Sequence, residues 1–366
     1  MPVNNQGFVK IDSNKLFEGM FIAADLFCKY KNNYVLVFKS ALLTQKLIQK
    51  VKQLESTYGN LYVEKENYQK IVDQIEQYES ILKRLEFDTN YKSIKEKAVH
   101  ILDTISATNT IPREAVSIVT KIIQDKIMSV DAATIFQLIN SVRDADEYLY
   151  THSANVAFLN GLIGKWLGLT EREISSLITG GFVHDIGKLK IPLEILNKPS
   201  ALTRNEFEII KTHPVYSYDM LINSGEINPD VLTAARNHHE KVNGSGYPDG
   251  LKFEKISRAA RITAVSDIYD AMVTRRAYKE AHSPFEILEE FAKSSFTDLD
   301  IDIVNVFLSN MPAELIGKSV LLSNGSIAKV AYIDPDNFSY PIVQIGPKVV
   351  QTDATLKCIC MCRTED

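Results

Sequence analysis

The chain of 366 residues has room for two or three domains, and its 45% hydrophobic and 24% charged content is ordinary for a globular protein. A formal net charge of -5 excludes a general positive coat for nucleic-acid polymers. No run of about 18 apolar residues occurs and residues 1–10 are polar, so neither membrane insertion nor a signal peptide is predicted, and a cytoplasmic location is expected.

Residues 1–70 mix short strands with one helix and form an expected small α/β domain with a regulatory or dimerising role. Phe8–Ile11, Phe21–Phe27 and Tyr34–Phe38 are strand-like, and the polar Lys31-Asn32-Asn33 suggests a hairpin turn. Thr44–Ser56 places Leu47, Ile48, Val51 and Leu54 at helical spacing, and Leu61–Val63 looks like a closing strand. Residues 71–130 form a charged helical connector with a stripe at Ile71, Ile75, Tyr78 and Leu82. Ile94, Ala98 and Ile101 continue it. Long connectors of this kind carry dimer contacts in other proteins, which leaves a homodimer open here. Pro112 predicts a new helix start, with Thr110 as its N-cap.

Residues 131–312 read as an all-helical domain. A helix over Val142–Trp166 carries His152. Thr170 and Glu173 make a capping box for a helix to Val183, and His184-Asp185 follow at its end. Thr203 and Glu206 make a second box, opening a helix expected to reach His213-Pro214. Val231–His239 is helical, Asn243–Gly250 is a turn-rich loop, and Ile262–Val273 is a helix carrying Asp267. Ser283-Pro284-x-Glu286 caps a further helix. After Pro312 the period changes to short strands, with Asn324-Gly325 a hairpin turn, so residues 313–366 form a small β appendage. Cys358, Cys360 and Cys362 alternate without the spacing of a zinc ribbon, and ordinary reduced cysteines are expected.

Five histidines of the helical domain (His152, His184, His213, His238 and His239) stand with Asp185 and Asp267 as candidate ligands. The clusters stand about 25–32 residues apart, as expected if one helix supplies each ligand to a common core. The His184-Asp185 doublet alone is equally compatible with a satisfied core histidine. The set of seven exceeds what one ion needs, and two ions bridged by Asp185 fit better. Two metals about 3.5–4 Å apart suit hydrolysis of a phosphate ester. Lys188, Arg276 and Lys279 could meet phosphate oxygens.

The ordered strings Y-T-H-S at His152, H-D-I-G-K-L-K-I-P from His184, K-T-H-P at His213, H-H-E-K-V-N-G-S-G-Y-P from His238, and S-D-I-Y-D-A-M with R-R-A-Y-K resemble an HD-GYP domain. That family is a branch of the HD phosphohydrolase superfamily, and the resemblance spans about residues 140–312. The fold it implies is mainly α. An HD-type helical bundle is preceded by the small α/β domain and followed by the β appendage. The resemblance implies metal-dependent hydrolysis of cyclic di-GMP to pGpG, GMP or both, through a metal-bridging water. It implies two divalent ions per chain, commonly iron and sometimes manganese. His152, His184, Asp185 and Asp267 would hold one ion; Asp185, His213, His238 and His239 would hold the other. Asp185 and Lys188 would be catalytic. Lys188, Arg276 and Lys279 would contact phosphate, and Gly246-Tyr247-Pro248 would shape the loop beside the site. In the family that loop is also implicated in contacts with GGDEF-domain proteins.

The sequence departs from the family pattern at four positions. Tyr148 stands where trinuclear members carry Glu, and Glu147 is rotated about 100° from that place. Two metals are therefore expected. Asn243 replaces the loop Asp, Ser217 a Gly, and Ala277 a Pro. These departures keep two other functions open: a cyclic di-GMP sensor or protein-interaction module without turnover, and an HD phosphohydrolase for another nucleotide.

Overall fold

The computed structural model describes residues 7–18, 20–30, 33–129, 132, 135, 148–198, 200–277, 283–295 and 297–361. The chain divides into two compact units, Met1–Thr89 and Asn90–Asp366.

In the first unit, β1 (Phe8–Ile11), β3 (Leu26–Tyr30), β4 (Asn33–Phe38) and β6 (Leu61–Glu64) form an antiparallel sheet in the order β1-β6-β3-β4. β2 (Phe21–Ile22) pairs separately with β5 (Ala41–Leu42). The expected single strand Phe21–Phe27 is therefore two. The chain bends between them because they serve different sheets, and Asp25 Oδ1 accepts from Ser40 N–H at 2.9 Å in the bend. Thr44 caps α1 (Gln45–Tyr58), its side chain accepting from Leu47 N–H. α1 drives Val51 into a core with Ile22, Leu26, Leu61 and Val63, which Ile71 and Ile75 of α2 (Lys65–Thr108) also enter.

In the second unit, α2 buries Tyr91, Ile94, Ala98, Ile101 and Ile105 along one face. α3 spans Arg113–Ser129. Its first helical bond runs from Val116 N–H to Pro112, and the Thr110 hydroxyl bonds back to Thr108, so Thr110 is not the cap expected. α4 (Tyr148–Trp166) is buried continuously over residues 151–164, the signature of a central helix. The expected start of this helix, residues 142–147, lies outside the described residues. α4 is followed by α5 (Glu171–Val183), the short α6 (Leu193–Leu196), α7 (Arg204–Ile210) and α8 (His213–Asn223). They are followed by α9 (Pro229–Asn237), α10 (Arg258–Ala277), α11 (Pro284–Ser295) and α12 (Ile301–Leu315). Both predicted capping boxes form, at Thr170 with Glu173 and at Thr203 with Glu206.

Two helix ends differ from expectation. α7 stops at Ile210 and a new helix opens at His213. Pro214 has no N–H and its ring would collide with the Ile210 carbonyl, so the helix cannot run through. α12 continues past Pro312 to Leu315, where a proline in the last turn removes a single bond. β7 (Ser319–Leu322), β8 (Ile327–Asp334), β9 (Asn337–Ile345), β10 (Lys348–Gln351) and β11 (Cys358–Met361) then form an antiparallel sheet ordered β10-β9-β8-β7-β11. Gly325, at φ +82°, makes the β7–β8 turn. The sheet meets the helices where Glu289 of α11 accepts from Phe338 N–H at 2.7 Å.

Candidate metal centre

Close helix approach gathers the seven candidate donors. Gly181 on α5 lies against α4, and a Cβ there would sit 2.6 Å from Asn160 Nδ2 and 3.0 Å from Val156 O. The contact sets the end of α5, His184, beside His152 in the first turns of α4. Asp185 then opens a 3-10 turn, Ile186–Lys190. Gly187 in this turn rests on the start of α8, where a Cβ would meet His213 O at 2.0 Å. Ser217 accepts from Gly187 N–H at 2.8 Å, so the serine that departs from the family pattern ties the Asp185 turn to α8. His238 caps the C-terminus of α9, His239 follows it, and Asp267 lies within α10.

The donors fall into two groups sharing one residue: His152, His184 and Asp185, and Asp185, His213, His238 and His239. Within each group the donor atoms lie within 4.8 Å of one another. Asp185 offers one oxygen to each. Its Oδ2 is 3.4 Å from His152 Nε2 and 3.3 Å from His184 Nε2; its Oδ1 is 3.1 Å from His213 Nε2 and 3.7 Å from His238 Nε2. Asp267 stands between the groups, with Oδ1 3.1 Å from His152 Nε2 and Oδ2 3.8 Å from His239 Nδ1. All but His239, a quarter exposed, are essentially buried.

The histidine tautomers follow from the other ring nitrogen. Nδ1 of His184 lies 2.7 Å from Gly181 O, and Nδ1 of His213 lies 2.7 Å from Ile210 O, the carbonyl released by Pro214. Nδ1 of His238 lies 3.0 Å from Ala235 O. A carbonyl only accepts, so each Nδ1 carries the proton, and a ring in that tautomer turns a bare Nε2 inward. The Nε2 atoms of His213 and His238 then face each other at 3.3 Å. Two lone pairs at that distance repel unless a cation lies between them. His184 Nε2 and Asp185 Oδ1 are buried without a hydrogen bond of proper geometry among the described residues. These donors fit divalent ions held by imidazole and carboxylate.

The electrostatics agree. Burial and the neighbouring His239 and His184 hold His238 well below the ordinary imidazole value. Burial takes His239 down to about 3, against the pull of Asp267. Burial opposes ionisation of both aspartates and is outweighed. Lys188 above all keeps Asp185 well below the usual carboxylate range, and the imidazoles around Asp267, His152 foremost, lower it as well. Neutral imidazoles beside ionised carboxylates are the protonation state metal ligation requires.

The other site residues are placed unevenly. Lys188 Nζ donates to Asp185 Oδ2 at 2.5 Å. The Tyr247 ring stacks on His239 with centroids 4.7 Å apart, and Lys211 Nζ lies 5.5 Å from the Tyr247 centroid. Gly246 fits only as glycine, since a Cβ would sit 2.4 Å from Lys241 N and 2.6 Å from His239 O. Pro248 follows in the same loop, which Glu240 anchors by accepting from Asp249 N–H at 2.7 Å and Leu251 N–H at 2.9 Å. Asn243 caps the loop by accepting from Ser245 N–H and donates to Asp298, so the amide takes over the cap. Arg276 lies in the last turn of α10, and Lys279 lies outside the described residues.

Asp270, Asn155 and Glu240 escape the sequence reading. His152 Nδ1 donates to Asp270 Oδ2 at 2.7 Å, and Asn155 donates to Asp270 Oδ1 at 2.7 Å. Asp270 had a signal, since it follows Asp267 by three residues on one helical face. Glu240 adjoins the histidine pair.

Residues 137–302 match the HD domain family, and the motifs that resemble HD-GYP proteins lie within this stretch. The chain is 33% identical over 189 residues to the cyclic di-GMP phosphodiesterase PA4108 of Pseudomonas aeruginosa, covering 52% of this chain and 45% of that one. It is 36% identical over 178 residues to the cyclic di-GMP phosphodiesterase of Thermotoga maritima, covering 48% and 47%. It is 33% identical over 196 residues to the 3'3'-cGAMP-specific phosphodiesterase 1 of Vibrio cholerae, covering 52% and 44%. The chain thus spans about half the length of the curated relatives it matches. Among solved structures, the HD-GYP-type protein Bd1817 of Bdellovibrio bacteriovorus shares the fold, with a TM-score of 0.52 at 15% identity over 83% of this chain and 99% of that one. No helix among the described residues is long and apolar enough to cross a membrane.

Proposed function

We propose that the chain is a metal-dependent phosphodiesterase that hydrolyses cyclic di-GMP to pGpG, GMP or both. The observation that carries this reading is the pair of buried donor groups joined by the two oxygens of Asp185. His152, His184, Asp185 and Asp267 would hold one ion and Asp185, His213, His238 and His239 the other, with iron or manganese suited to such donors. Two such ions supply Lewis acidity toward a phosphoryl oxygen and lower the pKa of a bound water.

The chain's own residues do the rest. Asp185 sets the spacing of the two groups through its paired oxygens. Lys188, 17% exposed at the rim of the buried donors, offers an ammonium to a phosphoryl oxygen. Arg276 and Lys279 are assigned to further phosphate contacts on the R-R-A-Y-K motif. Gly246, Tyr247 and Pro248 form one wall, with Tyr247 stacked on His239. The same loop is the face we assign to a GGDEF-domain partner. Residues 131–312 are the catalytic domain in this reading. Residues 1–70 are a regulatory or dimerising module, 71–130 a connector that would serve a homodimer, and 313–366 an appendage. A reducing, cytoplasmic setting accords with the buried, unpaired Cys28 and Cys358.

A relative named for 3'3'-cGAMP matches this chain at the same 33% identity as PA4108, so that cyclic dinucleotide is the second reading of the substrate. The test is metal content and turnover on one anaerobically purified sample offered each nucleotide. About two ions per chain with pGpG released from cyclic di-GMP supports the proposal. Faster turnover of 3'3'-cGAMP moves the substrate to the second reading. Full metal without product makes the chain a sensor.

A further inference from the structure

The imidazole of His152 is held differently from its neighbours. His184, His213 and His238 each give their Nδ1 proton to a main-chain carbonyl within their own helix region. His152 gives its proton to a carboxylate, Asp270 Oδ2 at 2.7 Å. The second oxygen of Asp270 accepts from Asn155 Nδ2 at 2.7 Å, and Asn155 Oδ1 accepts from the Tyr91 hydroxyl at 2.6 Å. The four groups form an unbroken buried chain, with Tyr91 and Asn155 each only 4% exposed.

Each link has a fixed direction. Asn155 uses its oxygen toward Tyr91, so its amide N–H must point at Asp270. That leaves Asp270 Oδ2 for the His152 proton, which forces the bare His152 Nε2 toward Asp185 and Asp267. Removing the Tyr91 hydroxyl would let the Asn155 amide turn and release one side of Asp270. Tyr91 belongs to α2, well ahead of residues 137–302 that define the HD domain.

We infer that Tyr91 is a positioning residue for the metal centre: through Asn155 and Asp270, the helix preceding the HD domain fixes the tautomer and aim of His152. The inference rests on the metal-centre reading above and adds a residue from outside the matched domain to it.

The test uses the full chain, metal-free, with ¹⁵N-labelled histidine, followed by titration with Co²⁺ alone. In the wild type the His152 Nδ1 proton should be observed and slow to exchange. Tyr91→Phe keeps the ring against Phe158, whose centroid is 6.0 Å away, and removes only the hydroxyl. It should speed exchange of that proton and weaken Co²⁺ at the His152 group by about threefold to tenfold, short of the 10–100-fold typical of a direct ligand partner. The group containing His213 and His238 should change by less than about twofold. In an Asn155→Ala background, Tyr91→Phe should add nothing, because both act through one bond chain. Unchanged exchange and affinity in Tyr91→Phe would overturn the inference, as would equal weakening of both groups or additive losses. If the wild type takes up no Co²⁺, the metal reading fails, and the His152 proton alone decides the role of Tyr91.

Discussion

At the scale of single residues, the centre turns on Asp185. Asp185→Ala removes a donor from both groups, so bound metal should fall at both and turnover should drop to background, measured by metal analysis and product release. Ser217→Ala tests a subtler contact. It leaves the buried Gly187 N–H without its 2.8 Å acceptor, and urea unfolding should report a loss of about 1–3 kcal/mol. The depressed histidines predict a pH dependence. His239 stays neutral down to about pH 3 in the folded metal-free chain but takes a proton near 6.5 when unfolded. Between those values the unfolded state binds more protons, so stability rises with pH. The depressed pKa of His238 acts with the same sign, and those of Asp185 and Asp267 extend the trend below about pH 4. Melting temperatures of the metal-free protein should therefore fall steadily from pH 7 to pH 4.5; a flat profile would refute the assignment. The candidate donors themselves were legible in the sequence, because each sits in its own short motif, most of them near a helix start or end. Asp270 and Asn155 were not. Their partners lie 118 and 64 residues away, and a buried carboxamide on a helix looks in sequence like any polar residue.

At the scale of elements, helix starts were readable and helix ends less so. Thr170 with Glu173 and Thr203 with Glu206 announce their helices by chemistry confined to four residues. The stop at Ile210 depends on Pro214 four residues on, and the carbonyl it strands becomes the acceptor for His213. The division of Phe21–Phe27 into β2 and β3 was hidden, because sheet membership is a long-range property that a local apolar run does not encode. The Gly-Tyr-Pro loop yields a prediction at this scale. Glu240→Gln leaves one acceptor oxygen for two N–H donors, so amide exchange at Asp249 or Leu251 should speed up while the helices keep their protection.

At the scale of the whole molecule, the helical stretch and the strands that precede and follow it in the sequence were legible from period: 3.6 residues through residues 131–312 and 2 after them. The centre and the fold are coupled energetically. An ion that binds only the folded chain stabilises it by ~2.7 kcal/mol at about 100 times its dissociation constant. Added Mn²⁺ should raise the melting temperature of the wild type and leave Asp185→Ala nearly unmoved, as read by calorimetry.

His184, His213 and His238 hang from the ends of their helices, each tethered to a carbonyl within a turn of itself. The aim of each ring is thus written in a handful of its own backbone atoms, while the close packing at Gly181 and Gly187 sets the distances between donors. The two tasks fall to different parts of the chain. A change of side chain within one helix leaves the aim of its terminal imidazole intact, whereas a side chain added at either glycine would pull the donors apart.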